Sequence, residues 1–380
     1  MRRREFLQTA ALSCWAGAEA AAFARGKALP YEWSAAPAAA SVIPVVGDGR
    51  WIWTKPPEGA TGYLEPRRFR LRVGIELTGR GDAGEITAST PVPVVAPEQE
   101  ILSEKIDVVG SEAVLETFAP DARMLRMAAP GLVRGGQASA IAEFELKLSK
   151  QYFGYAAEQF PEKQTVAADV RRAYLGDSPG IQTRAPNVQS LLQQLIGRRT
   201  GSLAHPWRQA EVFAAWIRAE IRPKLGIYTS VVKAIENRSG DCEEMAGVFV
   251  ALCRAAEIPA RLVWIPNHVW SEFYLVDHEG RGHWIPVHTA CYHWFGWTGA
   301  HELVFQKGDR LRVPGKGTLE RLQQDRLRWA GTKPEASFWA ELTPLADGDE
   351  PDAGPGARRK SPTGEWLPIG THAQDAGVRR

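Results

Sequence analysis

Ser239-Gly240-Asp241-Cys242-Glu243-Glu244 runs on into Met245, Ala246, Phe249, Val250 and Cys253, and this stretch decides how the second half of the chain folds. Its apolar residues recur at helical spacing. Asp241 is an N-cap residue type, and Glu244 three positions later completes a capping-box pattern. The spacing therefore predicts a helix over 241–256, stopped by Pro259. Cys242 falls in its first turn, where unpaired N–H groups and the positive end of the helix dipole favour thiolate over thiol. Cys253, in mid-helix among Val250, Leu252 and Ala255, has the surroundings of a small core residue. Cys291 lies in an aromatic loop and carries no assignment.

A thiolate nucleophile needs a base, usually histidine, held by a third group. Six of the eight histidines lie between His268 and His301. Strands are predicted at 260–265, 269–276 and 283–287, the last two joined by the turn Asp277-His278-Glu279-Gly280. His268 opens the second of these strands, where an imidazole can reach a helix N-terminus packed on the sheet. The third group is expected from Trp284-Ile285-Pro286-Val287-His288.

Working outward, amphipathic helices are predicted at 187–196 and 207–221, the latter ended by Pro223. Residues 51–150 are strand-like: Arg68-Phe69-Arg70-Leu71-Arg72-Val73 alternates polar and apolar, and further short strands sit between Gly, Pro and Asp punctuation. That spacing predicts a β-sandwich of immunoglobulin-like type. Residues 151–184 read as a connector, and 313–345 as a C-terminal extension with a charged helix near Leu319–Trp329. The tail 346–380, rich in Gly, Pro, Asp and Arg, has the composition of a disordered segment.

The N-terminus reads as a targeting segment. Arg3-Arg4-Glu5-Phe6-Leu7 fits a twin-arginine export signal, and Ala22-Phe23-Ala24 offers a cleavage site, giving a signal over 1–24 and a linker over 25–50. A periplasmic or secreted location is the expectation, with lipid attachment at Cys14 the minor alternative. Loss of Cys14 leaves three cysteines, an odd number that points to a free thiol. The net charge of +2 gives no electrostatic case for nucleic acid, and no stretch after the signal approaches the length of a membrane span.

Taken in order, Gly240-Asp241-Cys242-Glu243-Glu244, Leu252-Cys253-Arg254, Ile258-Pro259-Ala260-Arg261, His268-Val269-Trp270-Ser271-Glu272-Phe273 and Trp284-Ile285-Pro286-Val287 resemble the bacterial transglutaminase-like superfamily. The resemblance covers roughly 185–312. It implies an α+β fold in which a papain-like core of helices on an antiparallel sheet follows the β-sandwich, with a Cys–His–Asp triad. It assigns Cys242 as nucleophile and His268 as base. The pattern departs at the third position, where His288 stands in place of Asp. A neutral imidazole can orient His268 but cannot stabilise imidazolium as a carboxylate does. Trp207 and Asp241 are weaker candidates for oxyanion or supporting roles, beside the Cys242 backbone N–H.

The expected activity is acyl transfer without a cofactor: Cys242 attacks the amide carbonyl of a protein or peptide substrate and a thioester forms. Hydrolysis by a peptidase or amidase is favoured over cross-linking. A catalytically weak binding or scaffolding module is the rival, and a Zn²⁺ site built from Cys242, His268 and His288 is a third reading.

Overall fold

The computed structural model describes residues 61–345 except 119–121, 198–200, 225, 267, 291–294, 299 and 314–316, with the backbone of short paired strands at 39–42, 51–54, 359–360 and 366–367. The signal peptide, linker, Cys14, Cys291 and tail assignments lie outside the residues whose side chains are described.

Alternation drives the first half. Strand β1 (Gly62–Thr78) buries Leu71, Val73, Ile75 and Leu77 on one face, and β6 (Gln137–Tyr152) buries every second residue from Ala138 to Leu148. These two pair antiparallel, joined by β3 (Gln99–Val109) on β6. Facing them, β2 (Ala83–Val92), β4 (Glu112–Phe118) and β5 (Ala122–Leu132) form a second antiparallel layer. Ile86, Ala88, Leu125 and Met127 of that layer share one core with the β1 and β6 residues. Two amphipathic sheets thus bury their apolar faces against each other, as period-two patterning requires.

Helices α1 (Ala168–Tyr174), α2 (Pro186–Ile196), α3 (Pro206–Glu220) and α4 (Val231–Asn237) follow, and α2, α3 and α4 pack against α5 (Cys242–Ala255). Nearly every residue of α5 is buried, so it is a central helix and not a surface one. Its far end holds Arg254, whose Nη2 donates to both carboxylate oxygens of Asp309 at 2.8 and 2.9 Å. Strands β7 (Ala260–Ile265), β8 (His268–Val276) and β9 (Gly282–Val287) form an antiparallel meander against α5, as the spacing predicts.

The same sheet does not stop there. Strand β10 (Gln306–Lys307) pairs with β7 on one side and touches β5 on the other, giving the order β9-β8-β7-β10-β5-β2. The chain then supplies β11 (Arg326–Gly331) to β2 and β12 (Glu335–Pro344) to β1. The helix expected near Leu319–Trp329 is absent: 319–320 and 326–331 are strand. Arg326-Leu327-Arg328-Trp329 alternates with period two, and an open edge on β2 accepts it, so tertiary pairing decides over charge-rich composition.

Candidate active site

Asp241 caps α5 as the sequence predicts. Its Oδ1 accepts from the N–H groups of Glu243 (2.9 Å) and Glu244 (3.2 Å), and Glu244 Oε2 accepts from Asp241 N–H at 2.9 Å. The second Glu244 oxygen takes the N–H and hydroxyl of Thr229. Gly240 is required here, because a Cβ on it would sit 2.6 Å from Glu244 Cβ. Ser239–Gly240 also makes a short parallel pair with Arg222–Pro223, which pins the approach to the helix.

Cys242, 9% exposed, is the first residue of the helix. The structure corrects the expectation of a thiolate: burial pushes the Cys242 thiol far up, and the Asp241 carboxylate adds to this. The Val269 N–H bonds the sulfur and the Glu243 N–H reaches it, both pulling the other way, without prevailing. A helix dipole contributes about 1 kcal/mol at its first turn, whereas full burial of an anion moves a pKa by several units. Burial also raises Glu243 to about 7, against the opposing pull of its ion pair with Arg321.

The Val269 contact places the sulfur at the start of β8, on the nitrogen joined to the His268 carbonyl carbon. His268 is buried, which pushes its imidazole down to about 3. Burial thus favours the neutral form of both the Cys242 thiol and the His268 imidazole.

Register explains how His288 comes in. Ser271 pairs with Val287, so the antiparallel ladder sets His288 across from Trp270 and diagonal to His268. Residues 269, 273 and 275 of β8 pack in the core of α5, while Trp270 belongs with Val94, Val263, Ile265 and Val304 on the other face. His288 stacks on Trp270 (centroids 4.8 Å, 15° between planes) and lies 5.8 Å from the His268 ring at 22°. It has no exposure, and burial, with help from His268 and Arg218, holds it well below its ordinary pKa. Arg218 of α3 donates to the His288 carbonyl at 3.3 Å. Beyond His288, Glu302 Oε1 approaches His288 Nε2 at 3.9 Å.

Trp207 is not available as an indole donor to the thiol: its Nε1–H goes to Glu211 Oε1 at 2.8 Å, and its ring packs on Phe160, Phe273 and Phe295. Asp241 acts as a cap whose carboxylate opposes thiolate, a different role from oxyanion support. Among the described residues no three His, Cys, Asp or Glu side chains are placed to hold a metal ion, so Cys242, His268 and His288 do not converge into the ligand set considered from sequence. Asp277 is committed to its turn, accepting from His283 Nε2 at 2.8 Å and from the N–H groups of Glu279 and Arg281. The Val269 N–H, Arg218, Trp270 and Glu302 were not identified from sequence. Trp270 had a signal in strand alternation; Glu302, in a loop fourteen residues past His288, had none. A cleft lies between the end of β7 and the sandwich strands, lined in part by Trp264, Pro266, Phe305, Gln323 and Trp339, and none of Cys242, His268 and His288 lines it.

Residues 192–289 match the transglutaminase-like superfamily. A segment of 68 residues is 37% identical to a peptide-N(4)-(N-acetyl-beta-glucosaminyl)asparagine amidase of Yarrowia lipolytica; it covers 18% of this chain and 18% of that protein. The chain therefore spans less than a fifth of that curated relative. A solved structure described as a "Putative Cysteine Protease from Cytophaga hutchinsonii" superposes with a TM-score of 0.50 at 18% identity, over 76% of this chain and 93% of that one. At that identity the likeness is one of fold.

Proposed function

We propose that the chain is an exported cysteine hydrolase that cleaves peptide-like amides through a thioester on Cys242. The observation that carries the reading is the placement of Cys242 as the first residue of a capped, buried helix, with the Val269 N–H on its sulfur at the start of the strand opened by His268. The matched family segment contains both residues, and the amidase and the structure described as a protease support amide chemistry at the family level.

Burial of both groups, which disfavours their charged forms, shapes the steps. As the sulfur attacks the amide carbonyl, the thiol proton passes to His268, so charge develops only in the transition state. The oxyanion needs a donor. Asp241 consumes the Glu243 and Glu244 N–H groups, so the Cys242 N–H is the first-turn donor that the cap leaves over. The His268 imidazolium then gives its proton to the leaving amine, and a thioester remains. Water adds to it with His268 as base, releasing the acid and the free thiol. The twin-arginine signal over 1–24 carries the exported location, and the face-to-face sheets carry the immunoglobulin-like reading of the first module.

A second reading, a silent binding module, draws on the burial of Cys242, His268 and His288. An electrophilic amide-mimic probe separates the two. The enzyme reading expects labelling of Cys242 in the wild type, lost in Cys242→Ala and at least tenfold slower in His268→Ala. A folded wild-type protein that takes no label under reducing conditions would overturn it.

A further inference from the structure

Glu302 is an anomaly that the proposed mechanism does not use. Its side chain is buried, and neither carboxylate oxygen has a hydrogen-bond donor among the described residues. Buried carboxyls without partners are rare, because desolvation without a compensating bond is costly. The nearby cation does not serve it: Lys307 Nζ pairs with Glu98 at 2.6 Å and Glu272 at 2.7 Å. The polar group Glu302 approaches is His288 Nε2, at 3.9 Å. His288 in turn lies beside His268 and holds the position where the family pattern has a carboxylate.

We propose that Glu302 is a positioning residue for this site: acting through His288, it supplies the carboxylate that position 288 itself lacks. The inference rests on the cysteine-hydrolase reading above. When His268 takes the Cys242 proton, one S–H bond breaks, one N–H bond forms, and the new imidazolium needs a nearby negative charge. Ionised Glu302 provides it, with the His288 ring as the polarisable link. In the resting state burial and the Glu98 and Glu272 carboxylates hold the Glu302 carboxyl protonated well above the usual carboxylate range, with Lys307 opposing them. On the other side, His288 faces His268 and Arg218. The sign follows: the support is absent at low pH and appears as Glu302 loses its proton on the alkaline side.

The test is the pH profile of Cys242 alkylation by iodoacetamide, resolved peptide by peptide by mass spectrometry in the full chain. Wild-type Cys242 should react faster than Cys253 in the same protein. Glu302→Gln should slow Cys242 at least tenfold at pH 8 and move its midpoint upward; Glu302→Asp should recover part of the rate. In a His288→Ala background, Glu302→Gln should have no further effect, which a purely structural role would not produce. A Glu302→Gln profile within twofold of wild type, or effects of the two substitutions that multiply, would overturn the proposal. As a measurement independent of any variant, the ¹⁵N shifts of the His288 ring in the wild type should titrate with the Cys242 alkylation midpoint; a flat His288 signal overturns the proposal too. If wild-type Cys242 reacts no faster than Cys253, the hydrolase reading itself falls, and this inference with it.

Discussion

Cys242 and Cys253 lie eleven residues apart on one buried helix, three turns that bring them to the same face. Both thiols are free and buried, and burial raises the pKa of both. Neither composition nor burial separates them. Their neighbours do. Cys242 stands at the helix start, where a strand N–H bonds its sulfur and a histidine follows from the same peptide unit. Cys253 sits three turns deep beside Arg254, whose charge is already spent on Asp309. The lesson is that reactivity here depends on who faces the sulfur and not on how easily the thiol ionises at rest.

The sharpest way to break the comparison is to remove each sulfur. Cys242→Ala should abolish turnover of an amide substrate, a loss of at least about 10³-fold. Cys253→Ala should keep activity within about twofold and cost about 1 kcal/mol of stability in a denaturant titration. Equal loss from both substitutions would erase the distinction.

The far end of the helix can be tested for a structural role in the same way. Arg254 and Asp309 are both fully buried, and Arg254 Nη2 also donates to the Ala260 carbonyl. Arg254→Met leaves Asp309 as an uncompensated buried carboxylate and should cost about 3–5 kcal/mol. The double variant Arg254→Met, Asp309→Leu should recover most of that loss while leaving the Cys242 alkylation rate unchanged.

Much of the first region was legible in advance. The Gly-Asp-Cys-Glu-Glu run carried a cap, a helix start and an apolar stripe, all local features that neighbouring residues decide. Strands 260–265 and 268–276 followed from their own patterns. What was not legible came from far along the chain. Glu302 approaches His288 just ahead of β10, which links the meander to β5 within one sheet, and the strand at 326–331 formed because β2 offered an edge. The thiolate expectation failed for a related reason: the dipole is a local property readable from the helix start, while burial by β8 and the surrounding helices is not.

Gly240 tests whether the local reading sets the site's precision. A methyl at 240 meets Glu244 Cβ at 2.6 Å, so Gly240→Ala must displace the capping box. The expected cost is about 1–3 kcal/mol. Cys242 alkylation should change while Cys253 accessibility does not, as read by the same peptide mapping.

The smallest effect is expected at Asp241, and it acts on one of the two cysteines and not the other. Asp241 touches Glu244, and burial together with that carboxylate raises it to about 6. Its folded pKa thus exceeds the unfolded value near 3.9. Its contribution to stability is then full below about pH 4 and is lost as pH rises through about 6. Asp241→Asn keeps a good cap while removing the titration. Unfolding free energy measured from pH 4 to 7 should therefore become flatter in the variant. Removing the anion beside the sulfur should also speed Cys242 alkylation at pH 7.5 by roughly three- to tenfold, since a shift of one pKa unit is a tenfold change in thiolate population. Cys253, whose neighbouring charge is Arg254 and not Asp241, should react at its wild-type rate. A variant in which both cysteines accelerate together would show that Asp241 acts by holding the helix closed, and that its charge on Cys242 is not the cause.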